Sequence, residues 1–147
     1  MVVTKEGTDM DAVAERNMAA MRTAYETLVS GDLEACVEML TPDFVANLPG
    51  LPEPVRGREV WRMGAEAMLK GFPDLQIEVE HMTAAGDQVA VRARFRGTHN
   101  GEFNGVAATG RSVDFWSVEY YRFADGKVAE EWVAPDMGNL MNQITAQ

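Results

Sequence analysis

The chain has 147 residues, 46% of them hydrophobic and 24% charged, and its 23 acidic against 13 basic side chains leave a formal net charge of −10. That charge works against nucleic acid, whose binders need a basic patch to displace counterions, and against anionic membrane surfaces. No apolar run approaches the ~18–20 residues of a membrane span, so residues 1–147 read as a single soluble domain able to bury its own core.

The opening stretch MVVTKEGTDMDAVAERN lacks a basic-then-apolar signal, and a cytoplasmic location is the expectation. A first helix is predicted over roughly Asp11 to Val29, where Ala14, Met18, Met21, Tyr25 and Leu28 form one apolar stripe. Gly31 ends it, and Asp32 can cap a short second helix through Leu40. TPD breaks that helix, FVANL reads as a short strand, and PGLPEPVRG is a Pro/Gly loop. A third helix runs from about Arg58 to Lys70, with Val60, Trp61, Ala65 and Met68 as its apolar residues.

The apolar period then changes from 3.6 to 2. LQIEVEHM, QVAVRARFRG, RSVDFWSVEYYRF and KVAEEWV alternate as strands, joined by turns at GD and ADG. Helices gathered first and hairpin-linked strands later predict an α+β fold with an antiparallel sheet curved around the helices. The cone between them is the expected place for a small molecule. Trp116, Tyr120 and Trp132 are the bulky candidates to line it.

Few chemistries are open to this composition. Cys36 is the one cysteine, falls among Leu33, Val37 and Leu40, and reads as a core thiol. His81, His99 and Cys36 have no zinc-like spacing, and GVAATGR is too short for a phosphate-binding loop. No metal or cofactor is expected. Arg92, Arg94 and Arg96 share one strand face and read as a salt-bridged surface. After Trp132, Pro135 stops the last strand, and Met137, Leu140, Met141 and Ile144 return at helical spacing. Asp136 at that junction is either a helix cap or a proton-transfer group flanked by apolar residues.

Several segments carry a family resemblance in order. NMAAMRTAYETLVSGDLEACVEMLTPDFV, FPDLQIEVE, GTHNGEF, ATGRSV, YRFADGKVAEEW and a final D-x-x-x-L-x-x-Q run through nearly the whole length. In this the chain resembles the SnoaL-like polyketide cyclases of the NTF2-like superfamily. The resemblance implies an NTF2-like cone, or α+β barrel, and a cofactor-independent enzyme of antibiotic biosynthesis that closes an aromatic polyketide ring by aldol chemistry.

The resemblance also puts the catalytic acid/base on Asp136, just beyond the last strand, with His99 as a second catalytic candidate. Asn47, Trp61, Trp116, Tyr120, Arg122, Trp132 and Met137 would contact substrate. His99 and Asn47 each have a structural alternative, as a satisfied strand-end histidine and an ordinary polar strand residue. A homodimer or higher homo-oligomer paired through the outer face of the sheet is expected. Related reactions on the same fold (hydroxylation, isomerisation, epoxide opening) and a non-catalytic ligand-binding domain are the alternatives.

Overall fold

The computed structural model describes residues 5–146, with side chains from Asp11 onward. Its order is α1 (Lys5–Ser30), α2 (Leu33–Glu38), β1 (Leu40–Asn47), β2 (Val55–Arg56), α3 (Arg58–Gly71), β3 (Gln76–Ala85), β4 (Gln88–Thr98), β5 (Ser112–Ala124), β6 (Lys127–Pro135) and α4 (Met137–Thr145). α1 begins before the expected Asp11, because periodicity reports only the stripe that is buried. Within it Ala14, Met21 and Tyr25 are buried, together with Asn17. Gly31, at φ 84°, ends α1 in the left-handed region that glycine adopts freely, and Asp32 caps α2 by accepting from the Ala35 amide at 3.1 Å.

β1 starts at Leu40, so TPD lies inside a strand and not in a break after a helix. Pro42 is tolerated because the pairing of β1 with β6 is irregular between Leu40 and Val45, where a missing N–H costs no ladder bond. The expected Pro/Gly loop also contributes two residues, β2, which pair with β1.

The sheet has six strands in the order β2-β1-β6-β5-β4-β3. β1 runs parallel to β6 and every other pair is antiparallel, so the sheet is mixed where an antiparallel one was expected. β2 and β3 form its two free edges; it is a curved open sheet and not a closed barrel. Register irregularities at Val79/His81 in β3 and Arg122/Phe123 in β5 accompany that curvature.

α1 lies against β3 and β4, α3 against β1, and α4 against β5. One core joins them, with Met21, Leu40, Phe44, Phe72, Val89, Phe95, Phe115, Phe123, Leu140 and Ile144 among its members. Among the described residues no helix is long and apolar enough to cross a membrane.

The turn after β4 is pressed onto the end of α3. The Gly101 amide donates to the Gly71 carbonyl at 3.1 Å, and a Cβ on Gly101 would collide with the carbonyl of Lys70. Gly101→Ala is therefore expected to destabilise the fold by about 1–3 kcal/mol, as overpacking does. Gly138 in α4 has nothing within 4 Å of where its Cβ would stand, so Gly138→Ala should be neutral or slightly stabilising. Urea unfolding of the two variants checks the contrast.

Candidate active site

The concave side of the sheet and helices α1, α2 and α3 enclose a cavity of about 240 Å³. Most of its wall is apolar: Met21 and Leu28 from α1, Met39, Leu40 and Ala46 around β1, Trp61 and Met68 from α3, Phe95 and Phe115 from the sheet. Cys36 also lines it, its thiol pushed up to about 11, chiefly by burial. The remaining polar lining comes from Tyr25, Ser117, Glu119, Tyr121 and Glu131. No Lys, Arg or His is among these lining residues.

Strand alternation explains why these groups meet. Val113, Phe115, Ser117, Glu119, Tyr121 and Phe123 occupy the buried face of β5, so two polar residues interrupt an otherwise apolar and aromatic row. On β6 the register sets Glu131 opposite Tyr121 and Val133 opposite Glu119. Glu119 and Glu131 are thus diagonal neighbours on one face of an antiparallel pair, within reach for long side chains. Tyr25 arrives from the buried stripe of α1.

The two carboxyls have different surroundings. Glu119 accepts hydrogen bonds from Tyr25 Oη at 2.6 Å, Tyr121 Oη at 2.6 Å and Ser117 Oγ at 2.7 Å. The two phenol oxygens are themselves 3.2 Å apart. Burial, and next the charge of Glu119, hold both phenols well above their ordinary range, so they remain protonated donors. Glu131 is only 6% exposed, and its carboxyl has no hydrogen-bond donor among the described residues. Burial first, and the charge of Glu119 second, push its carboxyl up to about 8 from an ordinary 4.5.

Of the site residues expected from the sequence, Trp61 lines this cavity, and none of the polar residues Tyr25, Ser117, Glu119, Tyr121 and Glu131 was among them. Asp136 does not line the cavity. It is the N-cap of α4, accepting from the Asn139 amide at 3.2 Å, while its own amide donates to the Trp116 carbonyl at 2.8 Å. His99 is wholly buried at the end of β4 against the Phe72 ring, with Nδ1 2.9 Å from Thr109 Oγ1. It too is absent from the cavity wall.

Trp116, Tyr120 and Trp132 project from the opposite, convex face and are 52%, 38% and 39% exposed. Arg122 is on that face, 3.3 Å from Glu130, and Asn47 donates to Glu130 at 2.9 Å and to the Glu131 carbonyl at 3.0 Å. Met137 packs beside the core at the start of α4 and is not among the lining residues. The expected inward face of the last two strands is therefore the outward one. Large aromatics suggest a pocket lining, yet the row that curves inward is the one holding Ser117 and Glu119. The available signal was a carboxylate in the middle of an alternating row of Val113, Phe115, Tyr121 and Phe123, an odd place for a solvent-facing residue.

Among the described residues no group of three or more His, Cys, Asp or Glu is arranged to hold a metal ion. The lining side chains make an apolar enclosure with one carboxyl clamped by three hydroxyls and one carboxyl pushed up to about 8.

Comparison with known proteins agrees with this architecture. The family model described as SnoaL-like polyketide cyclase matches residues 19–144. A curated relative, the aklanonic acid methyl ester cyclase AcmA of Streptomyces galilaeus, is 26% identical over 130 residues, covering 86% of this chain and 89% of AcmA. The crystal structure of IdmH from Streptomyces antibioticus, provisionally assigned as a polyketide cyclase, superposes with a TM-score of 0.78 at 34% identity, covering 86% of this chain and 96% of IdmH. AclR of Streptomyces galilaeus, provisionally assigned as a hydroxylase, gives a TM-score of 0.82 at 33% identity over 91% of this chain and 83% of AclR. With the family model spanning most of the sequence and the same curved sheet and helices in its structural neighbours, this chain belongs to the SnoaL-like polyketide cyclase family.

Proposed function

We propose that this chain is a cofactor-independent, polyketide cyclase-like enzyme that closes a ring by intramolecular aldol chemistry, with Glu131 as the proton-transfer group. The observation that carries this reading is the Glu131 carboxyl, which stands without a donor in an apolar cavity and is pushed up to about 8. A carboxyl in that range both takes and gives a proton near neutral pH, where general acid–base catalysis is most efficient.

The ionised form of Glu131 removes a proton from the carbon α to one carbonyl. The electron pair left there attacks a second carbonyl of the same molecule and forms the new C–C bond. The resulting alkoxide takes the proton back from Glu131, so the reaction balances without oxidant or reductant. Delocalisation into a conjugated substrate spreads the intermediate charge. Holding both carbons at reacting distance is worth on the order of 7–11 kcal/mol.

The thioethers of Met21, Met39 and Met68 and the Trp61 ring suit the face of a flat aromatic. The cavity, at about 240 Å³, is smaller than pockets that enclose a whole drug-sized ligand, roughly 300–1,000 Å³. A polycyclic substrate would seat its reacting end inside.

Aklanonic acid methyl ester, the compound in AcmA's name, is the test substrate. Glu131→Gln is expected to lose roughly 10²–10⁴ in rate. Asp136→Asn, which exchanges one good cap for another, is expected to keep both turnover and melting temperature. Full turnover by the Glu131→Gln variant contradicts the mechanism. The similarity to AclR favours hydroxylation as a second reading. Oxygen uptake that is stoichiometric with product would select it.

The same substitution has a stability signature. With a folded-state value near 8 against an ordinary 4.5, Glu131 keeps its proton in the native state between those limits while the unfolded chain has released it. Its burial is without charge penalty below about pH 4.5, and stability is lost as pH rises toward 8. Removing the charge with Glu131→Gln should therefore raise the melting temperature relative to wild type more at pH 8 than at pH 5. A gap that does not depend on pH contradicts the assignment.

We also propose that the convex face pairs two copies about a two-fold axis. Trp116, Val118, Tyr120 and Trp132 form an exposed apolar row there. Ion pairs of both signs flank it, Arg94 to Asp114 at 2.9 Å and Arg96 to Glu78 at 2.7 Å, a mixture a two-fold interface can match against itself. Light scattering is expected to give a dimer mass for the wild type and a monomer mass for Val118→Asp. A monomeric wild type at all concentrations removes this proposal.

A further inference from the structure

We infer that Glu119, fixed by Tyr25, Tyr121 and Ser117, is a positioning residue whose charge acts together with burial to keep the neighbouring Glu131 carboxyl protonated in the resting cavity. This rests on the reading of Glu131 as the proton-transfer group and adds what sets its protonation state. The geometry behind it is specific to this pair. Three hydroxyls, on α1 and on β5 itself, donate to one carboxylate, at 2.6, 2.6 and 2.7 Å. A carboxylate is an acceptor-only group with room for these donors, so the clamp fixes its position and orientation.

Glu131 receives no such donor. It sits diagonally across the β5–β6 ladder from Glu119 and on the same buried face. Two carboxyls facing one largely apolar cavity cannot both ionise cheaply, and the one without hydrogen bonds is the one to keep the proton.

Burial raises the Glu131 carboxyl first, and among the groups lining the cavity only Glu119 adds a charge to that effect. α1 presents Tyr25, α2 presents Cys36, β5 presents Ser117, Glu119 and Tyr121, and the lining residues of α3, β1 and β4 are apolar or glycine. Tyr25 and Tyr121 stay neutral, and so does the Cys36 thiol, raised to about 11. Glu119 is thus the sole charge available among the lining residues to act on Glu131. The clamp also ties the site to the fold, because Tyr25 and Glu119 are 94 residues apart in sequence.

The test reads Glu131 directly in substrate-free protein. Glutamate labelled with ¹³C at the side-chain carboxyl is titrated by NMR, and the Glu131 signal is assigned by its loss in Glu131→Gln. Wild type is expected to titrate well above the ordinary glutamate range. Glu119→Gln, which keeps an acceptor oxygen for the three hydroxyls, is expected to lower the Glu131 midpoint by about one unit or more. Tyr121→Phe, which removes one donor but keeps the charge, should leave the midpoint nearly unchanged. Glu119→Ala is the second variant should the Gln form not fold, with the same downward shift expected. The pH of half-maximal ring closure should move in parallel with the carboxyl titration.

A Glu131 midpoint unaltered by loss of Glu119, or an ordinary midpoint in wild type, overturns the inference. A shifted midpoint in a protein that closes no ring sustains the positioning role and contradicts only the proposed reaction.

Discussion

The buried Glu131 carboxyl lines a cavity walled largely by methionine, leucine and phenylalanine side chains, and a second carboxyl on the next strand faces the same space. An ionised group in such a place would cost several kcal/mol unless paired, and a protein relieves that cost by hydrogen bonding or by neutralising the group. Both solutions occur side by side here. Glu119 is satisfied by three hydroxyls, and Glu131 holds a proton. The placement of Tyr25 on the inner stripe of α1 follows from the first solution, since its hydroxyl has its partners on a strand near the other end of the chain. The chemistry follows from the second.

The two faces of β5 and β6 divide the work. The inner row closes the core at its ends through Val113, Phe115 and Phe123 and keeps its polar residues for the middle. The outer row combines exposed Trp116, Val118, Tyr120 and Trp132 with a ladder of arginines and acidic residues. Asp136 belongs to neither. Its carboxyl caps α4, whose Leu140 and Ile144 are almost wholly buried and help seal the core against β5. His99 serves the fold in a similar way, joining the end of β4 to the segment around Thr109 and Gly110.

The helices and hairpin strands were readable because each is a local pattern: a repeat of three and four residues in α1, a period of two in β3 and β4, glycines at the stops. The parallel pairing of β1 with β6 was not, because nothing local in FVANL or KVAEEWV encodes the direction of a partner some 80 residues away. The family resemblance conveyed the fold and the class of protein, and it directed attention to the carboxylate nearest the strand end. Which of two alternating rows curves inward was decided by long-range register and sheet curvature. In a strand as mixed as SVDFWSVEYYRF, hydrophobicity alone favours the wrong row, since Trp116 and Tyr120 outweigh Ser117 and Glu119. Trp61 reaches the cavity from a helix, whose buried side shows in its own periodicity.

On this reading a neutral Glu131 carboxyl stands in the cavity near pH 7. Infrared difference spectroscopy between wild type and Glu131→Gln at that pH tests it without substrate. A protonated-carboxyl carbonyl band present in wild type and absent from the variant is the expected result. A difference spectrum containing only carboxylate bands would contradict it.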